Sequence, residues 1–544
     1  MEYSERSMTA SYDIGRQVFR LPVRAAPQQA QQQAVCIDTD LEIELCYGCF
    51  SPQLCLLRPA LPMHHRAMNT QPLYLRLADH YRRAIQTGVL APAQRMPSVR
   101  NLVRAHHVSL STALQACRQL EDDGLIEARP RSGYFVLRPR RPALAPVPEP
   151  DIKGALDPAQ YVGIHDRVSD FIASCQQHPL SADFALAAAP PQAYPMRALQ
   201  LALTRAARHT PELLTAPVPP YGHPEFRAVL ARRAMECGIS AAPDEVLVTH
   251  GCIEALNLAL RAVARPGDTI AVESPTYFGL LQILESLGLR ALEIPTSPQR
   301  GISIEALELA LQTHANVRAV VVVPNFQNPL SCVMDDSDKA RLVTLCERTG
   351  IALIEDDTYG ALGDHGTPLA LKSWDDSGNV IYCASLHKTL APGMRLGWML
   401  GGRWSRRIGM LKFAQSRPNP PLPQAAAADY MGTKAYDRHL ARLRQTLRVQ
   451  REAMAAAVAR HFPDGTRLSV PTGGMLLWVE LPACMPAMRV FEQALRAGIR
   501  ITPGPMFSNS NRYDHFLRIS CGVPYTADIA AAMKRLADIV AAGL

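Results

Sequence analysis

The sequence predicts an α/β protein in two parts: a small helical unit closed by a β-hairpin, then a large domain on a parallel sheet. Three observations carry this expectation. Five short apolar runs beyond residue 240 alternate with helical stretches, the pattern of parallel strands covered on both faces. Before them, apolar residues recur at helical spacing from Leu73 to Leu120 and give way to two strand-like runs. Between the two patterns stand Pro139, Pro142, Pro146, Pro148, Pro150 and Pro158, which disfavour helix and favour a stiff, extended spacer.

At 544 residues the chain has room for about two to four domains, and a hydrophobic content of 48% supports a large core. The net charge of +8 is concentrated, because residues 68–141 hold 12 Arg and no Lys against 5 Asp and Glu. Such a segment suggests a polyanion partner, most simply nucleic acid; a solvated arginine-rich face is the competing reading. The 13 Cys have no framework spacing, which points to a reducing cytoplasm. No apolar run reaches the roughly 18 residues of a membrane span, and the N-terminus lacks the basic-then-apolar order of a signal peptide.

Taken in chain order, residues 1–67 read as a disordered N-terminal extension, with poor periodicity and a glutamine-rich patch from Gln28 to Gln33. Cys46 and Cys49 form one CxxC, but a zinc site needs four compatible ligands, so no metal is expected. Residues 68–138 form the small unit. Leu73, Leu77, Tyr81 and Ile85 make one helical face that Gly88 ends. Ser98 caps a second helix bearing Val99, Leu102 and Val103. Ser109 caps a third, with Ala113, Leu114, Cys117 and Leu120 inward and Gly124 at its end. Residues 125–129 and 134–137 then read as strands about the turn Pro130-Arg131-Ser132-Gly133. Three helices and a hairpin make a winged helix-turn-helix. Residues 139–164 are the proline-rich linker, and 165–544 the large domain. Its strands are expected at 246–248, 269–272, 319–323, 351–354 and 380–383.

Several motifs follow those strands, where open α/β sheets bind ligands. In Ser385-Leu386-His387-Lys388, continuing to Arg395, a hydroxyl stands three residues before a lysine and an arginine seven after it. A pyridoxal phosphate site needs this arrangement: the lysine forms a Schiff base with the aldehyde, while Ser385 and Arg395 hold the phosphate. Gly251, before Cys252 and Ile253, lets a helix N-terminus offer N–H groups to a phosphate, though alone it is a plain strand–helix turn. Tyr277 can stack on a pyridine ring or serve as an ordinary rim aromatic. Asn328, in Asn328-Pro329, can donate to the cofactor's phenolic oxygen or simply sit in a turn. Asp356 can pair with a protonated ring nitrogen, and Tyr359, three residues on, can reach the phenolic oxygen. The rival, a metal cluster of Glu355, Asp356 and Asp357, is disfavoured because adjacent strand-end acids point to different sides.

In this order the motifs resemble the fold-type I, aspartate-aminotransferase-like family of pyridoxal phosphate proteins over about residues 165–544. The resemblance implies that Lys388 is the catalytic, cofactor-linked lysine and that Asp356 pairs with the pyridine nitrogen. It places Asn328 and Tyr359 at the phenolic oxygen and Tyr277 over the ring. Gly251, Cys252, Ile253, Ser385 and Arg395 would cradle the phosphate, and Tyr221 would reach the phosphate of the other subunit. Arg518 would clamp the carboxylate of an amino-acid effector or substrate. His387, Ser331, Cys252 and Ile253 depart from the family's usual choices.

The small unit resembles the GntR-type winged helix, through Met96-Pro97-Ser98-Val99-Arg100, Leu120 to Ile126 and Arg131 to Val136. Helix 110–123 would enter the major groove, with Ser98, Arg100, Arg104, Ser109, Ser111 and Thr112 as contacts to double-stranded DNA. Arg131 and Gly133 would set the wing against the backbone or minor groove. Leu110 stands where arginine is frequent in the family. The combination resembles the MocR subfamily of GntR regulators, which implies a cytoplasmic, head-to-tail homodimer. The expected function is transcriptional regulation through sensing of pyridoxal phosphate or an amino compound. The alternatives are a working aminotransferase with an accessory DNA module, and a repressor with a vestigial site.

Overall fold

The computed structural model describes residues 72–86, 89–90, 94–123, 125–129, 132–137, 144–152, 157–510 and 512–543. The N-terminal extension, its CxxC, Gly88, Gly124, Pro130 and Arg131 lie outside the described residues.

The small unit contains α1 (Leu73–Gln86), α2 (Val99–His106) and α3 (Leu110–Asp122), then β1 (Ile126–Arg129) and β2 (Gly133–Val136). Leu77 and Ile85 of the expected stripe are buried with Leu102, Ala113, Cys117, Leu120, Ile126 and Val136; Leu73 begins the helix beyond that core and is exposed. Ser98 and Ser109 both act as N-caps, accepting from Asn101 N at 3.2 Å and Thr112 N at 3.1 Å. Between α2 and α3 the chain reverses at His107, whose φ of 50° is left-handed. The hairpin pairs Ile126 with Val136 and Arg129 with Gly133. A third edge is added by residues 94–96, where Met96 N donates to Tyr134 O at 2.8 Å and Val136 N to Gln94 O at 2.9 Å.

Residues 144–152 carry no helix or strand and lie along the large domain. Val147 is buried and donates to Ser469 Oγ at 3.1 Å, and Gln299 Nε2 donates to Val147 O at 3.0 Å. This part of the proline-rich stretch is therefore seated on the large domain, and β3 (Gln160–Tyr161) joins its main sheet.

After β4 (Ala182–Asp183), that sheet is built from β5 (Val246–Thr249), β6 (Thr269–Ser274), β7 (Arg290–Ser297), β8 (Gly301–Ile302), β9 (Val317–Val322), β10 (Ala352–Asp356), β11 (Val380–Ser385) and β12 (Gly397–Leu400). The order across it is β3-β7-β6-β9-β10-β11-β12-β5, with β8 on β7. From β7 to β11 all pairings are parallel; β12 runs antiparallel to both β11 and β5. All five expected strands are present, and β3, β7, β8 and β12 are additions to them.

Alternation along each strand supplies two cores. Ile270, Val272, Ala319, Val321, Ala352 and Ile354 face the helices Cys252–Val263 and Phe278–Ser286. Ala271, Val320, Val322 and Leu353 face the helices Ile304–Thr313 and Asp336–Thr349. Burial on both sides explains the near-continuous apolar strands. A second sheet is antiparallel, in the order β13 (Arg467–Leu468), β14 (Leu476–Glu480), β17 (Phe516–Ser520) and β16 (Thr502–Pro503). Between these in sequence, β15 (Ile499–Arg500) pairs with β4.

Candidate functional site

The C-terminal ends of β5, β6, β9, β10 and β11 lie along one edge of the sheet, and a chamber of about 290 Å³ opens there. Its lining includes Gly251, Cys252, Ile253, Tyr277, Asn328, Asp356, Tyr359, Ser385, Lys388, Arg395 and Arg518. Every expected cofactor residue except Tyr221 is thus brought to one place. Tyr221 is half-buried away from this lining, with its ring 5.8 Å from the Arg227 guanidinium carbon.

One end of the chamber is an anion cup. Gly251 has φ 91° and ψ 178°, a conformation that strains any residue with a Cβ, and it releases the chain into the helix Cys252–Val263. The first N–H groups of that helix have no intrahelical acceptor. A Cβ on Gly251 would lie 3.7 Å from Arg395 Nη2 and 3.9 Å from Ser385 Oγ, so glycine, hydroxyl and guanidinium converge. Arg395 is steadied by donating to His250 O at 3.2 Å, and Ser385 Oγ accepts from His387 N at 3.1 Å.

The floor is Asp356. Its Oδ1 accepts from Thr358 N at 3.0 Å, Thr358 Oγ1 at 2.6 Å and Cys252 Sγ at 3.1 Å. Burial raises its pKa above the ordinary carboxylate value, while these donors and the nearby Lys388 pull it down. Its neighbours turn to the opposite side. Glu355 accepts from Leu371 N and Lys372 N, and Asp357 accepts from Tyr382 Oη at 2.8 Å. The three acids do not converge, as strand alternation dictates.

Lys388 donates to the carbonyl of Ala187, and its Nζ stands 5.7 Å from the centre of the Tyr359 ring. Burial, helped by the positive charges of Arg518 and Arg395, pushes its pKa down to about 8 against the opposing pull of Asp356. A neutral amine is therefore accessible near neutral pH, which nucleophilic attack on an aldehyde requires. Arg518 donates to Asn328 Oδ1 at 3.1 Å, to Thr502 Oγ1 at 3.1 Å and to the carbonyl of Ala185. Its buried Nε has no partner. A planar donor fork with spare capacity fits a carboxylate. Burial, with positive Lys388 and Arg395 nearby, pushes His387 down to about 4, so this departure brings no charge to the chamber.

In the small unit Arg100, Arg104, Ser109 and Ser111 are exposed, and Thr112 is half-buried beside them at the start of α3. Ser109 Oγ lies 2.8 Å from both Ser111 Oγ and Thr112 Oγ1. The Ser98 and Ser109 hydroxyls each spend one acceptor on capping. Gly133 opens β2 at φ 93°, a left-handed position that admits the sharp wing turn.

The arrangement has close counterparts. A family model described as bacterial regulatory proteins, gntR family, matches residues 73–136, and one described as aminotransferase class I and II matches residues 194–536. The chain is similar to YjiR, an HTH-type transcriptional regulator of Escherichia coli (strain K12): 35% identity over 471 residues, 86% of this chain and 98% of the relative. YdcR, an HTH-type transcriptional regulator of the same organism, is also 35% identical, over 469 residues, 86% of this chain and 98% of the relative. The chain belongs to the MocR subfamily of GntR-type transcriptional regulators. Its large domain superposes on the kynurenine aminotransferase of Pyrococcus horikoshii with a TM-score of 0.64 and 26% identity, over 70% of this chain and 95% of that one. The regulator thus joins a GntR DNA-binding domain to a fold-type I aminotransferase-like domain.

Three parts of this MocR-type chamber escaped the sequence reading. Thr358, which holds Asp356, forms an Asx-type turn that the run Asp356-Asp357-Thr358 signals. The carbonyls of Ala185 and Ala187, which meet Arg518 and Lys388, are backbone groups with no residue-type signature. Phe278, also in the lining, reads in sequence only as the start of an apolar helix.

Proposed function

We propose that this regulator holds pyridoxal 5′-phosphate at Lys388 and senses the cofactor, or an amino compound condensed with it, to change its grip on double-stranded DNA. The observation that supports this best is the single chamber, which gathers an anion cup, a buried carboxylate, a lysine pushed down to about 8 and a buried arginine fork. When bound, the cofactor supplies an electron sink and an aldehyde that exchanges amines. Gly251, Cys252, Ile253, Ser385 and Arg395 would hold its phosphate. Asp356 would pair with its ring nitrogen, Asn328 and Tyr359 would meet its phenolic oxygen, and Tyr277 would cover the ring. Arg518 would take the carboxylate of an amino-acid effector. We place the protein in the cytoplasm as a head-to-tail homodimer, in which Tyr221 would reach the partner's cofactor phosphate.

Ser98, Arg100, Arg104, Ser109, Ser111, Thr112, Arg131 and Gly133 would form the DNA-contacting surface. Retardation of the promoter fragment beside its own gene, with and without pyridoxal phosphate and candidate amines, tests the proposal. Ligand-dependent affinity is expected; binding indifferent to every ligand would reject sensing. A freed Lys388 amine is also suited to moving a proton at the α-carbon of a bound amino acid, so transamination is within the site's chemistry. Sustained multiple turnover with an amino acid and a keto acid would move the assignment to an aminotransferase with an accessory DNA module.

A further inference from the structure

Cys252 is an odd choice for an anion cup, because a thiol is a weak hydrogen-bond donor. Its side chain does not serve the cup. The main-chain N–H stands at the helix N-terminus, while Sγ turns to Asp356 Oδ1 at 3.1 Å. The same oxygen takes both donors of Thr358. Among the described residues no hydrogen bond reaches Oδ2, although Asp356 lines the chamber. Burial, with the Asp356 charge beside it, raises the Cys252 thiol well above its ordinary value, so it stays protonated and able to donate.

We propose that Cys252 is a positioning residue for Asp356: its thiol and Thr358 together saturate Oδ1 and turn Oδ2 toward the position of the cofactor's ring nitrogen. This rests on the cofactor reading above. One residue then serves both ends of the ligand, its N–H at the phosphate and its thiol behind the carboxylate that meets the ring. A thiol leaves that carboxylate more basic than a serine hydroxyl would, which favours a proton on the ring nitrogen.

Equilibrium binding of pyridoxal phosphate and of its 1-deaza analogue, which has carbon in place of the ring nitrogen, separates positioning from packing. The proteins are the full-length wild type, Cys252→Ala, Cys252→Ser and Thr358→Val. Cys252→Ala is expected to weaken pyridoxal phosphate by about fivefold, and Cys252→Ser to restore it to within about twofold. Thr358→Val is expected to weaken it in the same way as Cys252→Ala. With the deaza analogue all four proteins should bind alike, because no ring proton remains for Asp356 to hold. Equal losses for both ligands would reduce Cys252 to packing and overturn the proposal, as would unchanged binding of both. A wild type that binds neither ligand would instead reject the cofactor reading on which the proposal stands.

Discussion

At Lys388 the pH range of ligation follows from the company it keeps. An amine attacks an aldehyde only when unprotonated. With its pKa at about 8, roughly one Lys388 in ten is neutral at pH 7. Stopped-flow attachment of pyridoxal phosphate should therefore slow by about tenfold per pH unit below 8 and level off above it. Arg518→Met removes a cation that lowers this value, so the bend should move to higher pH; an unmoved bend would deny that coupling. Ser331 has φ 56° and donates from Oγ to Leu476 O at 3.1 Å. Ser331→Ala and Ser331→Gly both lose the bond, but only alanine keeps the left-handed strain, so Ser331→Ala should be less stable than Ser331→Gly by about 1 kcal/mol in thermal unfolding. The chamber-lining Lys388, Asp356 and Arg518 were legible because few side chains suit the proposed chemistry of a Schiff base, a ring-nitrogen partner and a carboxylate clamp. Other contacts were illegible where backbone atoms do the work, as at Ala185 and Ala187, or where a side chain's direction decides, as at Cys252.

Among the elements, α2 and α3 owe their starts to hydroxyl caps. Ser109→Ala should cost about 1 kcal/mol through the lost cap at Thr112 N, and so weaken DNA binding by loosening the start of α3. Arg100→Ala and Arg104→Ala remove exposed cations without touching the core, and each should flatten the salt dependence of DNA binding by about one ion. A slope equal to that of the wild type would place these arginines off the phosphates. The strands show the limits of pattern reading. β9, all apolar but for Arg318, was plain in sequence, whereas β7 carries Arg290, Glu293 and Pro295 within eight residues. β12 has only four residues and opens on Gly397, where a Cβ would come within 2.6 Å of Gly251 Cα. That close approach, invisible in sequence, sets the anion cup against its neighbouring strand.

For the whole molecule, sensing requires a ligand with different affinities for two arrangements of the proposed dimer, since equal affinity shifts nothing. If Tyr221 reaches across the subunit boundary, Tyr221→Phe should weaken cofactor binding several-fold while the small unit's thermal transition stays in place; undiminished affinity would leave the phosphate site within one subunit. Effects of an amine on DNA affinity must equal the effects of DNA on amine affinity, so both should be measured on the same protein. All of this depends on the lysine. The most direct measurement is intact-protein and peptide mass spectrometry after borohydride reduction of the protein saturated with pyridoxal phosphate. One reduced phosphopyridoxyl group on the Lys388 peptide, absent in Lys388→Ala, is the expected result; an unlabelled wild type, or a label retained in Lys388→Ala, would contradict it.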